Sequence, residues 1–107
     1  PFKRWIGFSA QTQGAIIVDA GAARAIVTEG RSLLAIGISE VSGSFEKGDV
    51  VAICDSNGLE VARGLTNYSA ADVLRIKGLK SDEIANALGH RPYEEVIHRD
   101  NLVVIDR

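Results

Sequence analysis

Short apolar runs separated by glycines and polar turns fill the chain, and they predict strands first and short helices later. Residues 15–18 form a β-branched run after Gly14, which predicts a buried strand. Asp19 is suited to cap a helix over residues 20–29, and Gly30 is suited to end it in a left-handed conformation. A strand followed so closely by a helix predicts a compact packing unit.

The middle of the chain predicts three more strands. Residues 33–41 are largely apolar, and Gly37 inside them predicts a bulge or a close backbone approach. The polar residues from Ser42 onward predict turns. Residues 50–54 and 59–65 are apolar runs that flank an Asn-Gly pair, and this arrangement predicts a β-hairpin.

The last third predicts short helices. Ser69, with an acidic residue three positions later, forms a capping box for a helix over residues 70–77. Ser81 is predicted to cap a second short helix that ends at Gly89. Pro92 suits the first turn of a brief helical segment, which predicts a third helix over residues 93–97.

The chain closes with an apolar run at residues 102–105, which predicts a strand that returns to the sheet. The regular strand–helix alternation of a doubly wound nucleotide fold is missing. We therefore expect a mainly β, barrel-like fold with short helices. A length of 107 residues indicates one domain. We interpret residues 1–13 as a lead-in and residues 14–107 as the domain.

Composition and charge narrow the function classes. Hydrophobic residues make up 46% and charged residues 24% of the chain, so an ordered core is expected. The net charge of −2 argues against a dedicated duplex-binding protein but does not exclude a local basic patch. The longest apolar runs are too short to span a bilayer, so no membrane association is expected. Cys54 lies in an apolar strand and fits a buried thiol in a reducing cytoplasm.

No catalytic, cofactor or metal motif is found. The glycines form neither a dinucleotide fingerprint nor a P-loop, and His90 and His98 have no metal-ligand spacing. His98, Arg99 and Asp100 resemble part of a protein-kinase catalytic loop but lack its metal-binding residues downstream, so they predict only a polar turn before the last strand. The chain alone is therefore expected to be no enzyme and to hold no cofactor.

The arginines are the remaining candidates for binding. Arg24, Arg31 and Arg63 are either ordinary solvated surface or part of a patch that contacts an anion or an RNA backbone. Trp5 and Phe8 are either core residues or contacts with a neighbouring domain. The residues alone leave both alternatives open.

Several stretches of the sequence resemble one family. Lys-Arg-Trp-Ile at residues 3–6 and Val-Asp-Ala-Gly-Ala at 18–22 resemble the start of the C-terminal domain of glutamate 5-kinases. Gly-Leu-Thr-Asn-Tyr-Ser at 64–69 is similar to an internal signature of that family, and residues 95–103 are similar to its terminal signature. Phe-Glu-Lys-Gly-Asp-Val-Val at 45–51 resembles the wider PUA pattern.

This resemblance implies a PUA-like pseudo-barrel and an accessory or regulatory role. It implies a parent enzyme that phosphorylates the γ-carboxylate of glutamate with ATP and Mg²⁺, the first step of proline biosynthesis. That chemistry would belong to an amino-acid-kinase domain N-terminal to the lead-in. The expected partners of the chain are this kinase domain and other subunits of the parent enzyme.

RNA binding is the alternative that the resemblance implies. PUA domains bind structured RNA through the first helix, the loop after it and the nearby strand surface. In this sequence those elements place the candidate contacts at five residues: Arg24, Gly30, Arg31, Ser32 and Gly37.

Overall fold

The structure is a computed structural model that describes residues 11–90 and 93–105, and a five-stranded mixed sheet organises it. The strand order is β2-β1-β3-β4-β5. Strands β1 and β3 are parallel, and the other neighbouring pairs are antiparallel. The strands are β1 (Gly14–Val18), β2 (Ile38–Gly43), β3 (Val50–Cys54), β4 (Glu60–Leu65) and β5 (Leu102–Val104).

Short helices join these strands. Asp19 Oδ1 accepts a hydrogen bond from Ala22 N at 2.8 Å, and Ser69 Oγ accepts one from Asp72 N at 3.2 Å, so the N-caps predicted at Asp19 and Ser69 are confirmed. The five-stranded sheet and these short helices confirm the predicted mainly β fold with short helices. The α-helices are α1 (Ala20–Glu29), α2 (Ala70–Ile76) and α3 (Ile84–Leu88), and 3₁₀ turns cover Ala35–Gly37, Ser81–Glu83 and Arg99–Asn101.

The predicted hairpin joins β3 to β4, and its turn is built around an aspartate. Asp55 Oδ1 accepts hydrogen bonds from Asn57 N at 2.9 Å and from Leu59 N at 3.0 Å. Only Gly58 in this turn has a positive φ, of 83°. Asn57 keeps an ordinary φ, so the connection differs from the two-residue turn that Asn-Gly most often forms.

The single strand predicted over residues 33–41 is wrong in its first half. Leu33 makes only an isolated bridge with Ile97, a 3₁₀ turn follows, and β2 begins at Ile38. Strand β2 then continues through Gly43, where a turn was predicted.

Contact with α1 explains why the chain turns there. A Cβ on Gly37 would lie 2.5 Å from Ala22 Cβ, so the loop passes directly against the helix. The Gly37 carbonyl also accepts a hydrogen bond from Asp19 N at 2.9 Å. The close backbone approach predicted at Gly37 is confirmed, and it replaces regular strand pairing.

The prediction that Ser81 caps the second helix is wrong. Lys80 occupies the N-cap position, and the Glu83 carboxylate accepts a hydrogen bond from Lys80 N at 2.9 Å. The helical segment therefore starts one residue earlier, in a 3₁₀ turn that leads into α3. Its predicted end at Gly89 is confirmed by a φ of 82°.

The helix predicted over residues 93–97 is also wrong, because the backbone there is committed to other segments. Val96 N donates to Leu33 O at 2.8 Å, and Leu33 N donates to Ile97 O at 2.9 Å. An extended chain can form such bonds between distant segments, whereas a helix would use these groups internally. Pro92, on which the prediction depended, lies outside the described residues.

The core lies between the sheet and the helices. It contains side chains from each of the five strands and from each described α-helix. Its most buried members, all at most 1% exposed, include Ile16, Ile26, Ile53, Val73, Ile84 and Ile97. Cys54 is buried, as predicted. Trp5 and Phe8 lie outside the described residues. None of the helices described has the length and hydrophobicity that a bilayer crossing requires.

Asn67 and Tyr68, which follow β4, hold residues 93–97 in place by hydrogen bonds. The hydroxyl of Tyr68, a residue only 2% exposed, hydrogen-bonds to both the carbonyl and the N–H of Tyr93. Asn67 N donates to Val96 O at 2.8 Å, and Asn67 Nδ2 donates to Glu95 O at 3.0 Å. Residues 93–97 are thus held by backbone and side-chain bonds together.

Gly64 is expected to be essential for this arrangement. A Cβ there would lie 2.6 Å from Ile97 Cγ2 and 2.8 Å from Asn101 O. Because one of these atoms is backbone, Gly64→Ala should lower the free energy of unfolding by about 1–3 kcal/mol, measured by urea unfolding.

Gly21→Ala is the matched control within α1. Its Cβ would meet nothing closer than 3.5 Å, and alanine favours the helix, so stability should rise by up to about 1 kcal/mol. Equal effects of the two substitutions would contradict the close packing at Gly64.

Candidate functional site

A pocket of about 250 Å³ lies between α1 and the loop that follows it. Three of the predicted site residues line it, namely Arg31, Ser32 and Gly37. Most of its other lining residues are apolar, including Ala22, Ala25, Leu33, Leu34 and Ile36. The fold therefore brings part of the predicted site together around a mainly apolar cavity.

Arg31 is the charged residue at the centre of this surface. It lines the pocket beside α1 and also two adjoining pockets. Its Nε donates to Glu29 Oε1 at 2.8 Å, and the side chains are 70% and 47% exposed. An ion pair so open to water contributes little to stability, so Arg31 can exchange this partner for a ligand.

Ser32 connects the loop to the C-terminal segment. Its Oγ accepts a hydrogen bond from Arg99 N at 2.7 Å, and the next residue, Leu33, pairs with Ile97. The loop is therefore held in place by residues 93–99, and the first part of this segment is itself hydrogen-bonded to Asn67 and Tyr68.

The two predicted site glycines have different positions. Gly37 lies against α1 and lines the apolar pocket. Gly30 ends α1 with a φ of 65° and lines a separate pocket of about 250 Å³, between α1 and β5. Gly30 thus belongs to the neighbouring surface and not to the apolar pocket.

Arg24 and Arg63 lie away from this pocket. Arg24 is exposed on α1 and is not among the residues that line it. Arg63 is paired with Glu60, with Nη2 and Oε1 3.2 Å apart. The hydrogen bond to Glu60 raises the pKa of Arg63 above its ordinary value, although partial burial opposes this effect. Arg63 therefore has a structural role in β4.

Arg99 joins the surface, although sequence reasoning assigned it only to a polar turn. That turn is confirmed, since Arg99–Asn101 forms a 3₁₀ turn directly before β5. The fold also places Arg99 beside Arg31 in a pocket of about 370 Å³ that Glu94, Glu95 and His98 line as well. Its position inside the 95–103 signature was the one available signal.

The acidic residues and histidines of the described chain form no metal-binding cluster. His98 Nδ1 accepts a hydrogen bond from Asp100 N at 3.0 Å, so this histidine caps the 3₁₀ turn. Across residues 11–90 and 93–105, no three His, Cys, Asp or Glu side chains come together to hold a metal ion. The described residues therefore contain no cluster that fits the Mg²⁺ that the resemblance implies for the parent enzyme.

The sequence comparisons agree with the fold. A family model described as "PUA domain" matches residues 14–88. The chain is 51% identical over 105 residues to the glutamate 5-kinase of Caldanaerobacter subterraneus subsp. tengcongensis, and 52% identical over 104 residues to that of Carboxydothermus hydrogenoformans. These matches cover 98% and 97% of the chain but only 28% of each relative. The chain thus spans little more than a quarter of these relatives.

A solved structure shows the same fold. A PUA domain from Aeropyrum pernix K1, crystallised as a tartrate complex, aligns with a TM-score of 0.57 and 26% identity. The alignment covers 83% of this chain and 45% of that one. The predicted PUA-like fold is confirmed.

The contact between Gly37 and Ala22 is expected to set the shape of the apolar pocket. Gly37→Ala should lower the free energy of unfolding by about 1–3 kcal/mol, because two methyl groups would overlap. Ala22→Gly alone should cost about 1 kcal/mol of helix propensity.

The double variant tests the contact directly. Gly37→Ala with Ala22→Gly should be more stable than the sum of the single effects by at least about 0.5 kcal/mol, as measured in a double-mutant cycle by urea unfolding. Additive effects would show that the loop is not packed against α1.

Proposed function

The chain belongs to the PUA domain family, and we propose that it is the accessory, non-catalytic domain of a glutamate 5-kinase. Two observations support this proposal. The relatives that match almost the whole chain are named glutamate 5-kinase, and the described residues contain no cluster of His, Cys, Asp or Glu that could hold a metal ion.

The parent enzyme would transfer a phosphoryl group from ATP, with Mg²⁺, to the γ-carboxylate of L-glutamate. The product, glutamyl 5-phosphate, begins proline biosynthesis in the cytoplasm. An amino-acid-kinase domain N-terminal to this one would hold the reacting groups, since phosphoryl transfer needs phosphate-binding and metal-binding residues. The present domain would act on that kinase domain or on other subunits.

Exposed apolar side chains carry the proposal that the domain works through protein contacts. Leu34 is 37% exposed and Ile36 is 51% exposed, and both line the apolar pocket beside α1. Docking of a protein would remove this apolar surface from water, which is favourable in proportion to the area buried. The net charge of −2 supports a protein partner over nucleic acid.

The full-length protein that contains this chain provides the test. Removing residues 14–107 should change kcat, the response to proline or the oligomeric state, measured by steady-state kinetics and light scattering. If all three were unchanged, the domain would not be an accessory module.

Replacing Leu34 and Ile36 with serine in the full-length protein should change the same three properties, namely kcat, the response to proline or the oligomeric state, but by less than removal of the domain. Leu34→Ser with Ile36→Ser should weaken the contact by about 1–3 kcal/mol, because buried aliphatic side chains contribute on that scale. The matched control is Leu74→Ser on α2, which removes a side chain that is 56% exposed and lies outside the apolar pocket. An equal effect of the control would show that the pocket is not the contact surface.

RNA binding is a second candidate function, favoured by the pocket that Arg31, Ser32 and Arg99 line together. Structured RNA should then bind saturably at low salt, and Arg31→Ala should reduce the slope of log K against log salt by about 1. Fluorescence anisotropy with an RNA hairpin measures this. Binding that does not saturate, or a slope that does not change, would exclude this candidate.

A further inference from the structure

Among residues 11–90 and 93–105, no strand pairs with the outer edge of β5. In the sheet order β5 is the last strand, so one of its sides has no neighbouring strand in the part of the chain that the structure describes. Ile105 N donates to Val61 O at 2.9 Å, so Ile105 directs its N–H towards β4. Because these directions alternate along a strand, the N–H and C=O of Val104 point away from β4.

Open space lies next to this edge. The pocket between α1 and β5, of about 250 Å³, is lined by Leu102, Val103 and Val104 on one side and by Ile26 and Gly30 on the other. Val104 is 38% exposed. An unpaired strand edge beside a cavity can accept an extended peptide as an additional strand.

The charges around the pocket favour an acidic ligand. Its only charged lining residues in the described chain are Arg31 and Arg99. Arg31 has the exposed ion pair with Glu29, and Arg99 donates its backbone N–H to Ser32 Oγ at 2.7 Å. Carboxylates pair with guanidinium groups in a bidentate geometry, so an acidic side chain that enters the pocket can bind Arg99 or Arg31.

A second copy of the chain fits this edge poorly. Pairing two β5 strands would bring two sets of Arg31 and Arg99 close together, and these like charges would repel each other. The charge distribution therefore selects a different protein segment.

We propose that the β5 edge binds an extended acidic segment of a protein partner by strand addition. Backbone groups of Val104 pair with the segment, and its carboxylates bind Arg99 and Arg31. The inference rests on the proposed function because it takes a protein as the partner, but it concerns a different surface from the apolar pocket beside α1.

A model peptide tests the proposal on this chain. The probe is an acetylated and amidated hexapeptide of alternating Asp and Val, titrated into ¹⁵N-labelled protein. We expect saturable shifts of the amide signals of Val104 and its neighbours in β5. The same peptide with Lys in place of Asp should give no saturable shift.

Two variants separate strand addition from simple charge attraction. Val104→Pro removes the N–H that points away from β4 and should weaken binding by about tenfold, while the pairing with β4 is kept. Arg99→Glu should weaken it by at least about tenfold, whereas Arg24→Glu, with the same change in net charge on an exposed part of α1, should alter it by less than about twofold. Because Arg99→Glu leaves the β5 backbone unchanged, it tests the proposal even if the proline variant fails to fold.

Several results would overturn the inference. These are no saturable shift with the acidic peptide, equal shifts with the lysine peptide, or equal losses for Arg99→Glu and Arg24→Glu. An RNA hairpin that shifts the same amides while the acidic peptide does not would assign the edge to nucleic acid. Failure of the Leu34–Ile36 test with normal peptide binding would instead remove only the proposed contact at the apolar pocket.

Discussion

Residues 93–98 and the 3₁₀ turn Arg99–Asn101 lie beside β4, and the rest of the fold depends on the contacts that keep them there. Gly64 permits this approach because its hydrogen leaves room for Ile97 and for the carbonyl of Asn101. The buried Tyr68 hydroxyl holds both backbone groups of Tyr93, so these polar groups are satisfied within the protein. The stretches that resemble the family's internal and terminal signatures are therefore the two sides of one contact.

The candidate site depends on the position of residues 93–101, because hydrogen bonds connect this segment to the loop after α1. Val96 and Ile97 pair with Leu33, and the Arg99 amide donates to Ser32. The loop after α1 thus has backbone partners on the C-terminal segment, while Gly37 fixes its other end against the helix. Because these hydrogen bonds already hold the loop backbone, a ligand that binds Arg31 would need to fix little more than the Arg31 side chain.

Local signals were sufficient to predict much of the fold. Caps, glycine stops and the hairpin turn each act within a few residues, so Asp19, Ser69, Gly89 and the Asn-Gly pair indicated element ends correctly. The predictions failed where the determining contacts are distant in sequence. Residues 93–97 have a helix-compatible sequence, yet their hydrogen-bond partners are Leu33 and Asn67, which no local pattern reveals.

The candidate site shows the same difference between local and distant contacts. Arg31 and Ser32 could be placed from their loop, but Arg99 joins them only through the fold.

Arg31 lies where three pockets of different chemistry meet, and this position constrains what the surface can recognise. The pocket beside α1 is mainly apolar, the pocket along β5 contains backbone groups that no described strand pairs, and the third pocket contains Glu94 and Glu95 beside Arg99. A long run of phosphates would meet those two carboxylates, and their repulsion offsets part of the attraction to the arginines. A polypeptide can instead vary its side chains along its length, with an aliphatic residue at one pocket and a carboxylate at the next. The mixed character of the surface therefore favours a protein ligand more strongly than the net charge of the domain alone.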